Sequence, residues 1–188
     1  MEVAHPVNDR RQEKARDLLQ VRLVQDDADL HSVQRLRQGQ MNGQPWFEPK
    51  ADILTDAAGY VWLAERDGQA VGTVRAVPYG SRRGYFSQRG IEVPYISLDS
   101  TWAEMGRLVV APSNGFAVAR LLTKSAMRWL ADNRKFRSIY GLCEPGLVPY
   151  YESFGAQVSP PFTAQWNDGR RRMHLLHADL TTLTPDIR

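Results

Sequence analysis

Apolar positions along the chain fall into short β-rich runs and longer helical stretches, punctuated by turn dipeptides. VRLVQ at 21–25 reads as a first strand. In DDADLHSVQRLRQGQM, Asp26 or Asp27 can cap a helix that sets Leu30, Val33, Leu36 and Met41 on one face. NGQPW at 42–46 breaks it. Two β-rich runs, 60–65 and 70–77, flank Asp67-Gly68, a dipeptide favoured in tight hairpin turns. Pro78, Gly80 and Gly84 mark a loop ending near Ile96. Residues 104–110 read as another strand, and 115–133 as a long helix with Val118, Leu121, Leu122, Trp129 and Leu130 at helical spacing. SIYGLC reads as a strand, PGLVPYYESFG as a short helix ended by Gly155, and 162–166 and 172–177 as closing strands.

The predicted order is β, α, β, β, β, α, β, α, β, β. A hairpin enters early and a second closes the chain, which does not fit a regular doubly wound sheet. The 188 residues suffice for one α/β domain with a substantial core. Residues 21–180 are read as that domain, 1–20 as an N-terminal arm or short helix, and 181–188 as a tail. No internal repeat or low-complexity tract interrupts it.

Composition narrows the class. Apolar content of 43% and charged content of 24% are those of an ordinary soluble globular protein. No run is long enough to span a membrane, and the N-terminus is too polar for a secretory signal. A single cysteine, Cys143, rules out an internal disulfide framework and fits a reducing cytoplasm; it is read as core rather than nucleophile. The net charge of +3 is modest. Two basic clusters, Arg134, Lys135 and Arg137, and Arg170 to Arg172, lack the interleaved aromatics of a nucleic-acid platform. They suit solvated surface or an acidic protein partner. No His, Cys or carboxylate cluster has metal-ligand spacing.

The most informative stretch is AEMGRLVVAPSNGFAVARLL, a strand running through a glycine turn into an apolar helix. The backbone amides of residues 114–117 sit where a helix N-terminus binds phosphate. Glu104 and Arg107, three apart on a strand, should face opposite sides unless the strand is bulged. Gly106 between them is the expected place for a bulge.

This order of elements resembles the GNAT acyltransferase superfamily. The resemblance implies a mixed, mostly antiparallel sheet flanked by helices and splayed between its fourth and fifth strands. YYESFGA resembles a helix ending common in that superfamily. Within it, LRQGQM, VGTVRAVP and EMGRLVV recur in this order in acyl-homoserine-lactone synthases and N-acyl amino acid synthases. Those enzymes move a fatty acyl group from an acyl carrier protein thioester to an amine.

The resemblance makes Arg37 the helix arginine, Arg75 the arginine of the G-x-x-R strand, and Glu104 with Arg107 an E-x-x-R pair. Asp52 and Asp56 stand where the lactone synthases carry an acidic pair. The Arg-Leu-Gly-Trp stretch of those synthases is absent, with only Trp46 nearby, which turns the reading away from S-adenosylmethionine. Relatives that use coenzyme A show Arg or Gln, two residues, Gly, one residue, then Gly or Ala. Here Gly115 and Ala117 match, but Pro112 holds the first position. Val109, Val110, Asn114, Gly115, Phe116 and Ala117 are therefore the expected acyl-pantetheine slot, with one carrier-borne phosphate favoured over a diphosphate. No tightly bound cofactor is expected; acyl-phosphopantetheine or acyl-coenzyme A is the co-substrate. Arg120 and Lys124, with Arg134, Lys135 and Arg137, could receive an acidic acyl carrier protein, or be plain exposed charge.

The chemistry then assigns roles. An α-amine with pKa near 8 is about one-tenth neutral at pH 7, which costs about 1.4 kcal/mol; a lysine amine costs about 4.6 kcal/mol. Glu104 is the expected general base, or else a structural partner of an arginine. Arg37, Arg75 and Arg107 are placed to hold a substrate carboxylate. Tyr151 is the expected proton donor to the leaving thiolate, or a core tyrosine beside Tyr150. Tyr85 and Phe86 could line an acyl tunnel or simply pack. The expected activity is N-acyl transfer, fatty acyl to a primary amine of an amino acid or similar molecule. Alternatives are acyl-coenzyme A-dependent acetylation, acylation of a lysine-like side chain on a peptide, homoserine lactone synthesis, and a silent domain that binds acyl-pantetheine.

Overall fold

The computed structural model describes residues 19–44, 47–89, 92–133, 135–166, 169–183 and 187. The expected arm or helix at 9–19 lies almost wholly outside these residues, as do Trp46 and Arg134. The elements are β1 (Gln20–Leu23), α1 (Asp27–Met41), α2 (Pro49–Asp56), β2 (Tyr60–Arg66), β3 (Gln69–Pro78), α3 (Tyr85–Arg89), β4 (Trp102–Val110), α4 (Gly115–Asp132), β5 (Ser138–Cys143), α5 (Val148–Glu152), β6 (Gln157–Val158), β7 (Phe162–Trp166) and β8 (Gly169–Asp179). The strands run β1-β2-β3-β4-β5-β8-β6, with β7 paired to β8. Neighbours are antiparallel except β4 and β5.

Local chemistry sets the punctuation. Asp26 caps α1 by accepting from the Asp29 amide at 2.9 Å. Asp67 and Gly68 both take positive φ, 52° and 72°, as the tight β2–β3 turn requires. α4 lays Val118, Leu122, Ala126 and Leu130, all 0% exposed, along one face of the sheet. Their core partners include Trp62, Ala64, Val74, Ala76 and Ala103; each large apolar side chain buried this way stabilises the fold by roughly 1.5–3 kcal/mol. The opposite face carries two smaller clusters, Val33 with Val61 and Leu63, and Phe86 with Tyr140 and Leu175. Leu183 and Ile187, which the sequence placed in a tail, are buried in the main core.

Three departures from expectation bear on the site. The loop after α1 holds a further helix, α2, and the loop before β4 holds α3. On α1 it is Arg37, not Leu36, that shares the fully buried face with Val33. The bulge in β4 is present, but its left-handed residue is Arg107, at φ 56°, not Gly106. Thr73 pairs with Val109 and Arg75 with Gly106, so two steps on β3 face three on β4.

The parallel β4–β5 ladder has three rungs, Trp102↔Ser138, Ala103↔Ile139 and Glu104↔Tyr140. Beyond Glu104 the strands part, which is the splay expected between the fourth and fifth strands.

Candidate active site

Two cavities adjoin where β4 leaves β5. The first, about 280 Å³, is largely apolar; Met105, Leu108, Met127, Cys143, Tyr151 and Phe154 are among its walls. The second, about 200 Å³, is polar and includes Asp52, Arg75, Tyr85, Gln88, Glu104 and Arg107. Met105, Gly106, Arg107, Leu142 and Met173 belong to both. The bulge brings Glu104 and Arg107 to one cavity, which an unbroken strand would prevent. Glu104 and Tyr151 do not share a cavity; they flank the same stretch of β4 from the polar and the apolar side.

Behind the polar cavity lies a buried ionic cluster. Asp52 and Asp56 sit one turn apart on α2, both about 5% exposed or less. Arg37 from α1 donates through Nη1 to Asp52 at 2.8 Å and to Asp56 at 2.7 Å, and through Nη2 to Thr73 at 3.3 Å. Arg75 from β3 reaches Asp52 at 3.1 Å and Asp56 at 2.9 Å. Arg107 donates its Nε to Asp52 at 2.6 Å, which ties the left-handed residue down. Burial opposes the Asp52 charge, but the Arg37, Arg75 and Arg107 guanidiniums outweigh it and hold that carboxyl at about 2. Burial lowers Arg75 below its usual range, with Asp52 pulling back. The three arginines thus do not form one open carboxylate clamp. Arg37 is 0% exposed and braces the cluster from within, while Arg75 and Arg107 border the cavity.

The Glu104 side chain, from β4, meets the N-terminus of α3. Its Oε1 accepts from the Tyr85 amide at 2.7 Å. Gly84 presses on the same carboxylate so closely that any Cβ there would overlap Glu104 Oε2. Burial pushes the Glu104 carboxyl above its usual range, against the pull of Tyr85, Tyr140, Arg75 and Phe86. A carboxyl raised towards working pH is the form a general base needs.

On the apolar side, burial first, then Tyr150 and Cys143, raise the Tyr151 phenol, so it stays protonated. Tyr150 is engaged elsewhere, its hydroxyl 2.8 Å from Thr123 Oγ1. Burial pushes the Cys143 thiol up to about 11, so it holds its proton at neutral pH.

At the turn into α4, Gly115 takes φ 55° and no side chain caps the helix N-terminus. Arg66 from the end of β2 donates to Asn114 Oδ1 at 2.7 Å, bringing a guanidinium to the turn that the local motif lacks. Phe116 is exposed and stacks edge-on against Tyr150 at 5.0 Å. Val109 is buried and Val110 partly so, leading into the turn. Ala117, in the first turn of α4, is exposed. Of the basic residues, Lys135 and Arg137 are exposed, while Arg120 lies over the Phe154 ring at 5.2 Å and Lys124 is half-buried.

The apolar pattern of the sequence shows no sign of α2, nor of the part that Gly84, Gln88 and Tyr140 play at the site. Asp52 and Asp56 carried a signal, an i, i+4 spacing behind Pro49. Tyr140 carried none, because its neighbour Glu104 is set by register alone. Among the described residues no group of His, Cys, Asp and Glu could hold a metal ion, and no helix is long and apolar enough to cross a membrane.

The family model described as Acetyltransferase (GNAT) family matches residues 27–156. No curated protein gives a significant match. Solved structures do. FeeM, an N-acyl amino acid synthase from uncultured soil microbes, superposes with a TM-score of 0.65 at 8% identity, over 88% of this chain and 92% of that one. The AHL synthase LasI gives 0.62 at 20% identity, over 87% and 91%. A ribosomal-protein-alanine N-acetyltransferase from Brucella melitensis gives 0.63 at 16% identity, over 86% and 99%. At these identities the likeness is one of fold.

Proposed function

The chain belongs to the GNAT acetyltransferase family and is an N-acyltransferase, and we propose that it moves a fatty acyl group from an acyl carrier protein thioester to the amine of an amino acid or similar small molecule. The observation that carries this reading is the pair of cavities meeting at the β4 bulge, one apolar and one charged. At ~10–15 Å³ for each water-sized group, the apolar cavity of about 280 Å³ has room beyond an acetyl group. Arg75 and Arg107 border the polar cavity and suit an acceptor bearing a carboxylate.

In this reading the acyl thioester enters the splay and the amine the polar cavity. Glu104, directly or through a water, takes a proton from the amine. The nitrogen attacks the thioester carbonyl; a C–N bond forms and the C–S bond breaks. Backbone amides of β4 beyond Glu104, unpaired with β5, are available to the oxyanion. Tyr151 gives its proton to the departing sulfur. The uncapped α4 N-terminus receives a phosphate, and Pro112 in place of the turn's basic residue favours the single phosphate of a carrier-borne pantetheine. Arg120, Lys124, Lys135 and Arg137 offer positive charge to an acidic carrier.

The test incubates the protein with acyl carrier protein and coenzyme A thioesters of graded chain length and a pool of amines. Products are followed by mass and thiol release by absorbance. Long-chain amides from the carrier donor support the reading. Faster transfer from acetyl-coenzyme A overturns the donor and chain-length assignment, and no thiol release from any donor overturns the activity.

A further inference from the structure

Glu104 and Tyr140 face each other across the last rung of the β4–β5 ladder, so their side chains leave the sheet side by side on the same face. Tyr140 is 1% exposed. Its ring is wedged edge-on or tilted among Tyr79, Phe86 and Trp102, with centroids 6.4, 6.4 and 6.3 Å away. The ring therefore cannot swing aside, while its hydroxyl hydrogen can still rotate. Glu104 Oε1 is held by the Tyr85 amide at 2.7 Å. Glu104 Oε2 and the Tyr140 hydroxyl are both sealed from solvent and make no fully formed hydrogen bond to any other described group. Each bears on the other electrostatically: Tyr140 favours the Glu104 carboxylate, and Glu104 raises the Tyr140 phenol. A buried phenol and a buried carboxylate oxygen are both costly to leave unpaired, and each is the nearest group able to answer the other.

We propose that Tyr140 is a positioning residue for the transfer: its phenol donates to Glu104 Oε2 when the carboxylate is ionised and accepts from that oxygen when it is protonated. This rests on Glu104 being the base. Only O–H bonds change here, and the proton taken from the amine stays on Glu104 until it leaves through the polar cavity that Glu104 borders. With Oε1 and Oε2 both held, the carboxylate cannot rotate away from the polar cavity it borders.

Other groups act on the same carboxylate. Arg75 faces it from β3, and the Phe86 amide from α3. Glu48, Asp52, Arg83 and Arg107 border the shared cavity. Tyr79 bears on the Tyr140 phenol, and His177 of β8 is the register partner of Tyr140. Tyr140 stabilises the charged form against burial, so its loss should make Glu104 harder to ionise.

The experiment is a ¹³C titration of glutamate carboxyls in the unliganded protein, with Glu104 identified by the signal missing in Glu104→Gln. In Tyr140→Phe the Glu104 midpoint should rise by roughly half a pH unit or more. The acid limb of the pH–rate profile should rise with it, so that turnover falls more at pH 6 than at pH 9. An unmoved midpoint, or an equal fall in turnover at every pH, overturns the role of Tyr140. If Tyr140→Phe does not fold, 3-fluorotyrosine at position 140, a stronger donor, should lower the midpoint; no change there overturns the proposal equally. The base assignment fails separately, when Glu104→Gln keeps the acid limb of the wild-type profile.

Discussion

Replacing Asp52 with Asn probes the buried cluster with almost no change in shape. Asp52 touches all three guanidiniums, Arg37 at 2.8 Å, Arg75 at 3.1 Å and Arg107 at 2.6 Å. Its removal leaves them to share Asp56, and Arg107 loses the contact that fixes its left-handed backbone. The folded carboxyl sits at about 2 against an ordinary 3.8; at 1.36 kcal/mol per unit that difference is worth about 2.4 kcal/mol at pH 7. Breaking one partner of a buried ion pair typically costs about 3–5 kcal/mol. Asp52→Asn should therefore lose about 3 kcal/mol, a large share of the roughly 5–15 kcal/mol that holds a domain together. The pH dependence carries a definite sign. Because folding depresses the carboxyl, its stabilisation is complete above the unfolded value near 4 and fades as pH falls towards about 2. Urea denaturation followed by tryptophan fluorescence, from pH 7 down to pH 2.5, measures both proteins. The gap between them should narrow below about pH 4. A gap under 1 kcal/mol at pH 7, or one that stays constant into acid, would refute the electrostatic account of the cluster.

Glu104→Gln should lower turnover by roughly 10²–10⁴-fold and still raise the melting temperature at neutral and alkaline pH. Folding raises this carboxyl, so its stabilising protonated form is complete below the unfolded value and lost as pH rises through the folded one; a calorimetric scan at pH 5 and pH 8 shows the gap widening, or the sign is wrong. Gly84→Ala drives a methyl into Glu104 Oε2 and should cost about 1–3 kcal/mol, with turnover falling more than in an alanine substitution at the open Gly80. Arg107→Gly and Arg107→Ala both lose the Asp52 contact, but at φ 56° the glycine variant should be more stable by about 1 kcal/mol in urea; equal stabilities would mean that the bulge relaxes.

Periodicity located every strand but the two-residue β6, and the long helix, because their apolar residues repeat locally. The 115–132 helix and the Asp67-Gly68 hairpin are written in consecutive residues. α2 has no local apolar signal because PKADILTD is eight residues with no apolar stripe; its buried face is Asp52, Thr55 and Asp56, and only distant arginines make the burial of the two carboxylates tolerable. The bulge was anticipated from a clash between strand period and charge spacing, yet put on Gly106 by steric preference. The Asp52 contact overrides that preference at Arg107. Tyr140 lay in a strand that was read correctly, but its meeting with Glu104 depends on β4 and β5 pairing in one register, information that neither strand holds alone.

Arg37 has a consequence for the route by which the chain folds. Its guanidinium is 0% exposed on α1, and its charge partners all lie on α2. A state with α1 docked on β3 and α2 still loose would seal an unanswered cation in the interior, at a cost that exceeds what Val33 gains by burial. Such a species should not be populated. The two helices, joined through residues 42–48, attach to the sheet as one cooperative unit, and native-state hydrogen exchange in the interior of α1 and of α2 should report a single opening free energy.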